Sequence, residues 1–408
     1  MAEEQQPAFN VVKTFAFDDW GLYGRGDELL CRALARHPKV GRVFHVQPPV
    51  DPAGFRTRFR EPRWEQDLEG QLGRLAGIDD DGVLLFTPRA TPDRPDAALD
   101  RTVELLERER AFASPLVMLQ TLTHPFAADL ARRLGGRGVF RLAMARRDAR
   151  AALEQGSGER ALFEDLYATQ VPGADLVWAG TRPLVEEFRA RNPRTMLQPV
   201  GADQDLAGGT PALELADLPR PLVIYAGSMH ADLDVPLIRG TAERLADHSF
   251  VFVGPHAEHL VPLVDDLRNV HVIGPRPYRL LPGYLAAAAV AVAPHLVVEA
   301  TKAVVPEKLY GYLAAGLPVV TTAVAGVDEL RRLVSTARDA GEFARAIQGA
   351  RKRDRERRRS LRQAAVAPLS WAAVAAHLIA SVEAVRGGGD PPATPELRIP
   401  AIPGFLAR

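Results

Sequence analysis

Two of the chain's five lysines, Lys302 and Lys308, lie within seven residues of one another in a sequence whose other basic residues are nearly all arginine. Residues 304 to 322 read VVPEKLYGYLAAGLPVVTT. Pro306 suits a first helical turn, and Leu309, Tyr312 and Leu313 make an apolar stripe at helical spacing. Gly316 stops the helix before Leu317 and Pro318 lead into a buried strand. Lys308 then sits where its ammonium adds to the unpaired backbone N–H groups and the positive end of the helix dipole, a site for a phosphate or diphosphate. A compact ammonium on a flexible stem is not interchangeable with a guanidinium fork, which gives weight to lysines kept in an arginine-biased chain. The plain alternative for both lysines is a solvated surface cation.

Three predicted strands in the second half end in glycine, at Gly227, Gly254 and Gly274, followed by Ser228, Pro255 and Pro275. Glycine there lets backbone approach a ligand closely, so these loops are candidates for one edge of a nucleotide pocket. Beyond Gly274, Arg276 is placed to reach phosphate, and Tyr278 either packs on a base or starts the next helix. In the first half His124 follows a buried strand, while Asp18, Asp19, Trp20 and Arg25 follow the first one. Trp20 either stacks on a sugar face or caps the core, and His45 and Trp178 read as structural. No Gly-x-Ser-x-Gly elbow supports a serine hydrolase, and no HExxH or comparable spacing supports a zinc enzyme. Gly21, Gly24 and Gly26 are wrongly spaced for a dinucleotide fingerprint, which counts against an oxidoreductase.

Alternating apolar runs and helical patterns position these residues and predict parallel sheets covered by helices on both faces. Strands are expected at residues 11–17, 43–46, 83–86, 116–119, 139–142, 176–179 and 195–199, then at 222–226, 250–253, 270–273, 290–293 and 319–322. A Gly/Pro-punctuated stretch at 206–220 reads as an interdomain linker. The expected class is α/β with two Rossmann-like, doubly wound domains facing across a cleft. The boundaries are 1–205 and 206–370, with a helix at 371–386 crossing back onto the first domain and a loosely ordered Gly/Pro-rich tail at 387–408. With 408 residues, two cores are expected. Acidic and basic residues balance at 51 each, which removes a global electrostatic argument for nucleic acid, and 351–362 reads as a solvated basic helix. The single cysteine, Cys31, excludes an internal disulfide and reads as a small core residue. Without a signal-peptide pattern or a long apolar run, the expected location is cytoplasmic, with no integral membrane segment.

From about residue 222 to 328 the text resembles the nucleotide-binding domain of family 4 glycosyltransferases, particularly bacterial polysaccharide and cell-envelope members. The matching segments are YAGSMHADLD, FVFVGP, NVHVIGPRPYRLLPGYLAAAAVAVAPH and EATKAVVPEKLYGYLAAGLPVVTT. Fainter matches lie in FDDW, RVFHVQPP, ADLVWAGTRPLVEEF and QPVGAD. The resemblance implies a GT-B fold and metal-independent, retaining transfer of a sugar from a nucleotide diphosphate donor, without a cofactor. UDP, dTDP and GDP are the donor carriers to consider. The acceptor would be a glycan, a lipid-linked precursor or a small natural-product scaffold. Carried over by position, Lys308 with Pro306 and Glu307 forms the donor-phosphate site, Gly227 and Ser228 its opposite wall, and Thr301 and Lys302 the sugar end. His124 corresponds to a histidine that contacts the donor sugar in many relatives, and with Lys308 is expected to take part in catalysis. Asp18, Asp19, Trp20 and Arg25 fall on the acceptor or diphosphate side.

Two departures stand out. Where the family places a glutamate that accepts from the ribose, this chain has Gly311, and the partner acidic position eight residues earlier is Ala303. Glu299 and Glu307 keep the same interval one helical turn out of phase and are candidate substitutes. Many members also supply an arginine and a lysine where this chain has Gly227 to His230, which loads charge compensation onto Lys308 and onto Arg276 or Arg25. The losses fit rebuilt contacts, a deoxyribose donor, or a catalytically silent relative that binds nucleotide or a partner.

Overall fold

The computed structural model of the chain describes residues 8–14, 20, 26–50, 73–91, 93–94, 96–145, 150, 153, 155–230, 232–258, 260–298, 307–324 and 327–399. These residues build two parallel-sheet units. The first contains strands β1 (Phe9–Thr14), β2 (Val40–Val46), β3 (Ile78–Asp80), β4 (Val83–Phe86), β5 (Leu116–Thr121), β6 (Phe140–Ala145), β7 (Leu176–Ala179) and β8 (Thr195–Leu197). Their order is β3-β4-β2-β1-β5-β6-β7-β8, parallel except for the β3 to β4 pairing. The second contains β9 (Leu222–Ala226), β10 (Ser249–Val253), β11 (Val270–Gly274), β12 (Val290–Ala293), β13 (Val319–Thr321) and β14 (Ser335–Thr336), in the order β11-β10-β9-β12-β13-β14, parallel throughout.

The strand sequences explain the class. LVIYA, SFVFV and VAVA are apolar at nearly every position and buried at every position, which is what a parallel sheet with both faces covered requires. Each of the twelve expected strands forms, with ends displaced by a few residues: β1 runs from Phe9 to Thr14, and 15–17 lie outside the described residues. Two strands were not read from the sequence. β3, the acidic IDD, is a three-residue antiparallel edge, and β14 is two residues long, so neither is long enough to show a period.

In each sheet the strand order reverses beside the first strand of the unit, at β1/β5 and at β9/β12. Such a switch point opens a crevice at the carboxyl ends of the strands, where doubly wound sheets take ligands. In the second unit, helix α1 (Glu307–Ala314) follows β12 at that point. It buries Leu309, Tyr310, Tyr312 and Leu313 in the core. The Tyr312 hydroxyl latches it to the end of β9, accepting from Ala226 N at 2.8 Å and donating to Ala226 O at 2.9 Å. The helix ends as its glycine predicts: Gly316 is left-handed at φ +80°, and Leu317 N donates to Tyr312 O at 2.9 Å.

The stretch at 206–220 lies within the second unit and packs tightly: Ala212 N donates to Gly283 O at 3.0 Å, and a Cβ at Gly209 would stand 2.4 Å from Pro282 C. The first unit takes in residues 374–394, with His377 stacked on Trp178 at 6.0 Å and Lys39 paired with Glu383 at 2.7 Å. Part of the tail packs on the second unit. Leu397 and Ile399 pack on the second core and Arg398 N donates to Ala365 O at 3.1 Å, because apolar residues interrupt its Gly/Pro composition. The basic stretch is helical as expected, on helices α2 (Ala340–Arg353) and α3 (Glu356–Val366), but Arg362 is buried. Its guanidinium donates twice to Gly316 O, at 2.9 and 2.6 Å, and pairs with Asp354. Arg362→Ala is expected to destabilise the protein by about 2–3 kcal/mol, since it strands a buried carbonyl and a carboxylate together. Urea unfolding monitored by circular dichroism measures it, and a loss within error would show that water replaces the guanidinium.

Candidate functional site

The second unit's switch point gathers side chains from three neighbouring segments: Tyr225 at the end of β9, His295 two residues beyond β12, and Lys308 in the first turn of α1. Lys308 Nζ donates to the Tyr225 hydroxyl at 2.5 Å and lies 4.3 Å from the centre of that ring. It also lies 3.3 Å from His295 Nε2. Tyr225 in turn donates to Ser228 O at 2.7 Å, which ties the turn after β9 to the same cluster. Opposite stands Gly227. A Cβ there would come within 3.1 Å of Lys308 Nζ and 3.2 Å of its Cε, and φ is +148°, so the position needs glycine on both counts. Gly254 meets the same constraint, since a Cβ on it would stand 2.0 Å from Gly227 O. The glycine-ended strands therefore let neighbouring loops close on one another around Lys308.

Desolvation shapes the charge at this site. It lowers Lys308 to about 8, an effect that the Asp232 carboxylate opposes. Tyr225 is pushed well above its ordinary value by burial and stays a phenol. Burial lowers His295, Asp232 opposes this and Lys308 adds to it, so the ring is neutral at pH 7. Asp232 is held below the usual carboxylate range by His295 first, with Lys308 contributing.

The structure thus brings Lys308, Gly227 and Ser228 together. Glu307 is exposed at the head of the same helix. Arg276 is engaged elsewhere: its guanidinium pairs with Glu214 and donates to Tyr284 Oη at 3.1 Å and to Ile273 O at 3.1 Å. Tyr278 donates to Asp203 Oδ2 at 2.7 Å. The helix face at Gly311, where the resemblance expects a glutamate, is covered by Leu206, whose Cδ1 would lie 3.0 Å from an added Cβ. Pro306, Glu299, Thr301, Lys302 and Ala303 lie outside the described residues, as do Asp18, Asp19 and Arg25.

His124 belongs to the first unit, where it caps a helix at Pro125–Arg133. Its Nδ1 accepts from Phe126 N at 3.1 Å, which puts the ring proton on Nε2, and burial lowers its pKa. Trp20 is a correction. Its ring is 4 % exposed, edge-on to His45 at 4.7 Å, under the Arg32 guanidinium at 4.9 Å, with Nε1 donating to Asp80 Oδ2 at 2.6 Å. A ring so enclosed cannot stack on a sugar, and the core-capping reading holds. His45 and Trp178 are buried as expected, and so is Cys31, whose thiol burial pushes up. Sequence reasoning missed Tyr225, Asp232 and His295. Their one signal was position, each within a few residues of the end of an expected strand.

A testable consequence concerns charge. In the unliganded protein the Lys308 amine should titrate near pH 8, read by NMR of reductively methylated lysines and assigned through loss of the signal in Lys308→Arg. A midpoint at the ordinary lysine value would mean that water reaches the ammonium freely.

Comparison with known proteins bears on the fold. Residues 220–352 match the family model described as glycosyl transferases group 1. No curated protein matches the chain. Among solved structures, HepE of Anabaena, in complex with UDP and glucose, is 15 % identical, with 91 % of this chain and 99 % of that one covered and a TM-score of 0.61. A glycosyltransferase from Rickettsia africae is 12 % identical, with 93 % and 98 % covered and a TM-score of 0.60. A putative UDP-N-acetylglucosamine 2-epimerase from Listeria monocytogenes is 12 % identical, with 95 % and 98 % covered and a TM-score of 0.55. At these identities the likeness establishes the fold, so that this is a chain of GT-B fold whose residues 220–352 match the glycosyl transferases group 1 model.

Proposed function

We propose that the protein transfers a hexose or related sugar from a nucleoside diphosphate donor to an acceptor hydroxyl, with retention and without a metal. The acceptor class would be a glycan, a lipid-linked precursor or a small natural product, and the setting the cytoplasm. One observation carries the reading: a partly buried Lys308 ammonium in the first turn of a helix, pinned beside the glycine turn after β9. A cation and helix N–H groups placed where a diphosphate departs stabilise charge that grows in the transition state. The anomeric carbon would exchange its bond to the donor phosphate for one to the acceptor oxygen, and the leaving phosphate would take the acceptor's proton.

UDP is the first carrier to test, since HepE binds UDP and UDP-glucose on the same fold. A second reading, binding without transfer, is favoured by Leu206 standing over Gly311 where a ribose acceptor is expected. A deoxyribose donor would account for the same feature with activity kept.

Thermal unfolding with millimolar UDP, dTDP, GDP, ADP or NAD tests the reading. Ligand at about one hundred times its dissociation constant adds about 2.7 kcal/mol, a shift of several degrees. One nucleoside diphosphate is expected to stabilise the protein and to lose that effect in Lys308→Ala, and release of that diphosphate from the cognate sugar nucleotide would separate transfer from silent binding. Stabilisation by NAD alone would reject the proposal.

A further inference from the structure

Lysine carries three N–H donors and no acceptor, so the partners of Lys308 Nζ can be accounted for one by one. One hydrogen goes to the Tyr225 hydroxyl and one toward His295 Nε2, and among the described residues the third has no partner. Facing an ammonium, His295 Nε2 must act as acceptor, which places the ring proton on Nδ1. That nitrogen lies 3.3 Å from Asp232 Oδ2. Carboxylate, imidazole and ammonium thus follow one another across two loops, the first pair in contact at ion-pair distance without a hydrogen bond. The loops are themselves fixed: Leu296 N donates to Asp232 O at 2.7 Å, Leu233 and His295 form an antiparallel bridge, and Thr322 Oγ1 accepts from His295 N at 3.1 Å and donates to His295 O at 2.6 Å. Asp232 is not needed to fill the core, since its carboxylate is nearly half exposed, whereas the His295 ring is buried.

We propose that Asp232 and His295 are positioning residues of the diphosphate site, holding the Lys308 ammonium charged and aiming its remaining N–H past Gly227. This rests on the reading of Lys308 as the donor-phosphate cation. The arrangement has a physical logic. An ammonium withdrawn from water is costly unless charge compensation and hydrogen-bond acceptors are supplied. A carboxylate in direct contact would take the N–H that the ligand needs and leave a neutral pair. Placed behind a neutral imidazole, Asp232 supplies the compensating field while the third donor stays open. Among the described residues, the titratable groups around Lys308 are Asp232, His295, Tyr225 and Tyr312. Both phenols stay protonated because burial raises them, so the carboxylate sets the balance.

The test is affinity for whichever of UDP, dTDP, GDP and ADP binds, measured by calorimetry at pH 6.5 and pH 8 in the wild type and in Asp232→Asn, His295→Phe, His295→Gln and Lys308→Ala. Removing the opposing Asp232 charge lowers the amine further, and a fall of about one pH unit is the size the test is set to read. From a starting value of about 8 this takes the charged fraction at pH 8 from about one half to about one tenth. Asp232→Asn is therefore expected to bind about fivefold more weakly than wild type at pH 8 and less than about 1.5-fold more weakly at pH 6.5. His295→Phe should lose affinity more at pH 8 than at pH 6.5, and His295→Gln, whose amide oxygen accepts from Lys308, should recover most of it. Losses equal at both pH values, or none, overturn the positioning role. Should Lys308→Ala bind like wild type, or should no diphosphate bind the wild type, the donor-site reading falls and this inference with it. Lys308 dependence with a pH-independent Asp232 effect overturns this inference alone.

Discussion

The site depends on an ammonium held partly out of water. Desolvating a cation costs several kcal/mol unless compensation is built around it, and the fold supplies that from neighbouring parallel strands. β9 contributes Tyr225 and the glycine turn, β12 leads to His295, and α1, which follows it, contributes Lys308 itself. The hydrogen bonds between Tyr312 and both backbone atoms of Ala226 fix the helix start relative to the turn. A shift of one residue in the β9 to β12 pairing would turn Tyr225 to the other face and remove the ammonium's nearest acceptor.

The first unit shows what the same chemistry looks like when it is closed off. Lys13, near the end of β1 at that sheet's switch point, is wholly buried. Its Nζ donates to Thr14 O at 2.8 Å and to Thr121 Oγ1, and lies 3.3 Å from Asp27 Oδ1. Two of its hydrogens go to oxygens inside the fold and a carboxylate is in direct contact as an ion pair, so the cation is spent on structure. Lys308 differs on each point. Its compensating carboxylate stands one imidazole away, and its third donor faces a glycine, not a hydroxyl.

Much of this was legible in the sequence where the signal was local. The α1 segment could be read because 3.6-residue periodicity, Pro306 and Gly316 all lie within one short stretch, and the strands because buried parallel strands are continuous apolar runs. What depended on strand order was not legible. Asp232 and His295 lie 63 residues apart in the sequence and meet only because β12 inserts next to β9. Arg276 reads as a phosphate cation until Glu214, 62 residues upstream, is found against it. Trp20 reads as either a sugar-stacking ring or a core cap until β3, a strand too short to predict, brings Asp80 to its indole nitrogen.

The glycine at position 311 now has a physical reading beyond the loss of a ribose contact. A glutamate there would stand three residues along the helix from Lys308, at the spacing where opposite charges pair on a helix face. Such a residue both accepts from a ribose and compensates the ammonium. In this chain Leu206 fills that face, so neither task can be done from it. The carboxylate that opposes the desolvation of Lys308 here is Asp232, which stands against His295. Restoring a carboxylate at position 311 would have to displace Leu206 from the core it shares with Tyr310 and Tyr312, and would place a second negative charge around a lysine that already has one.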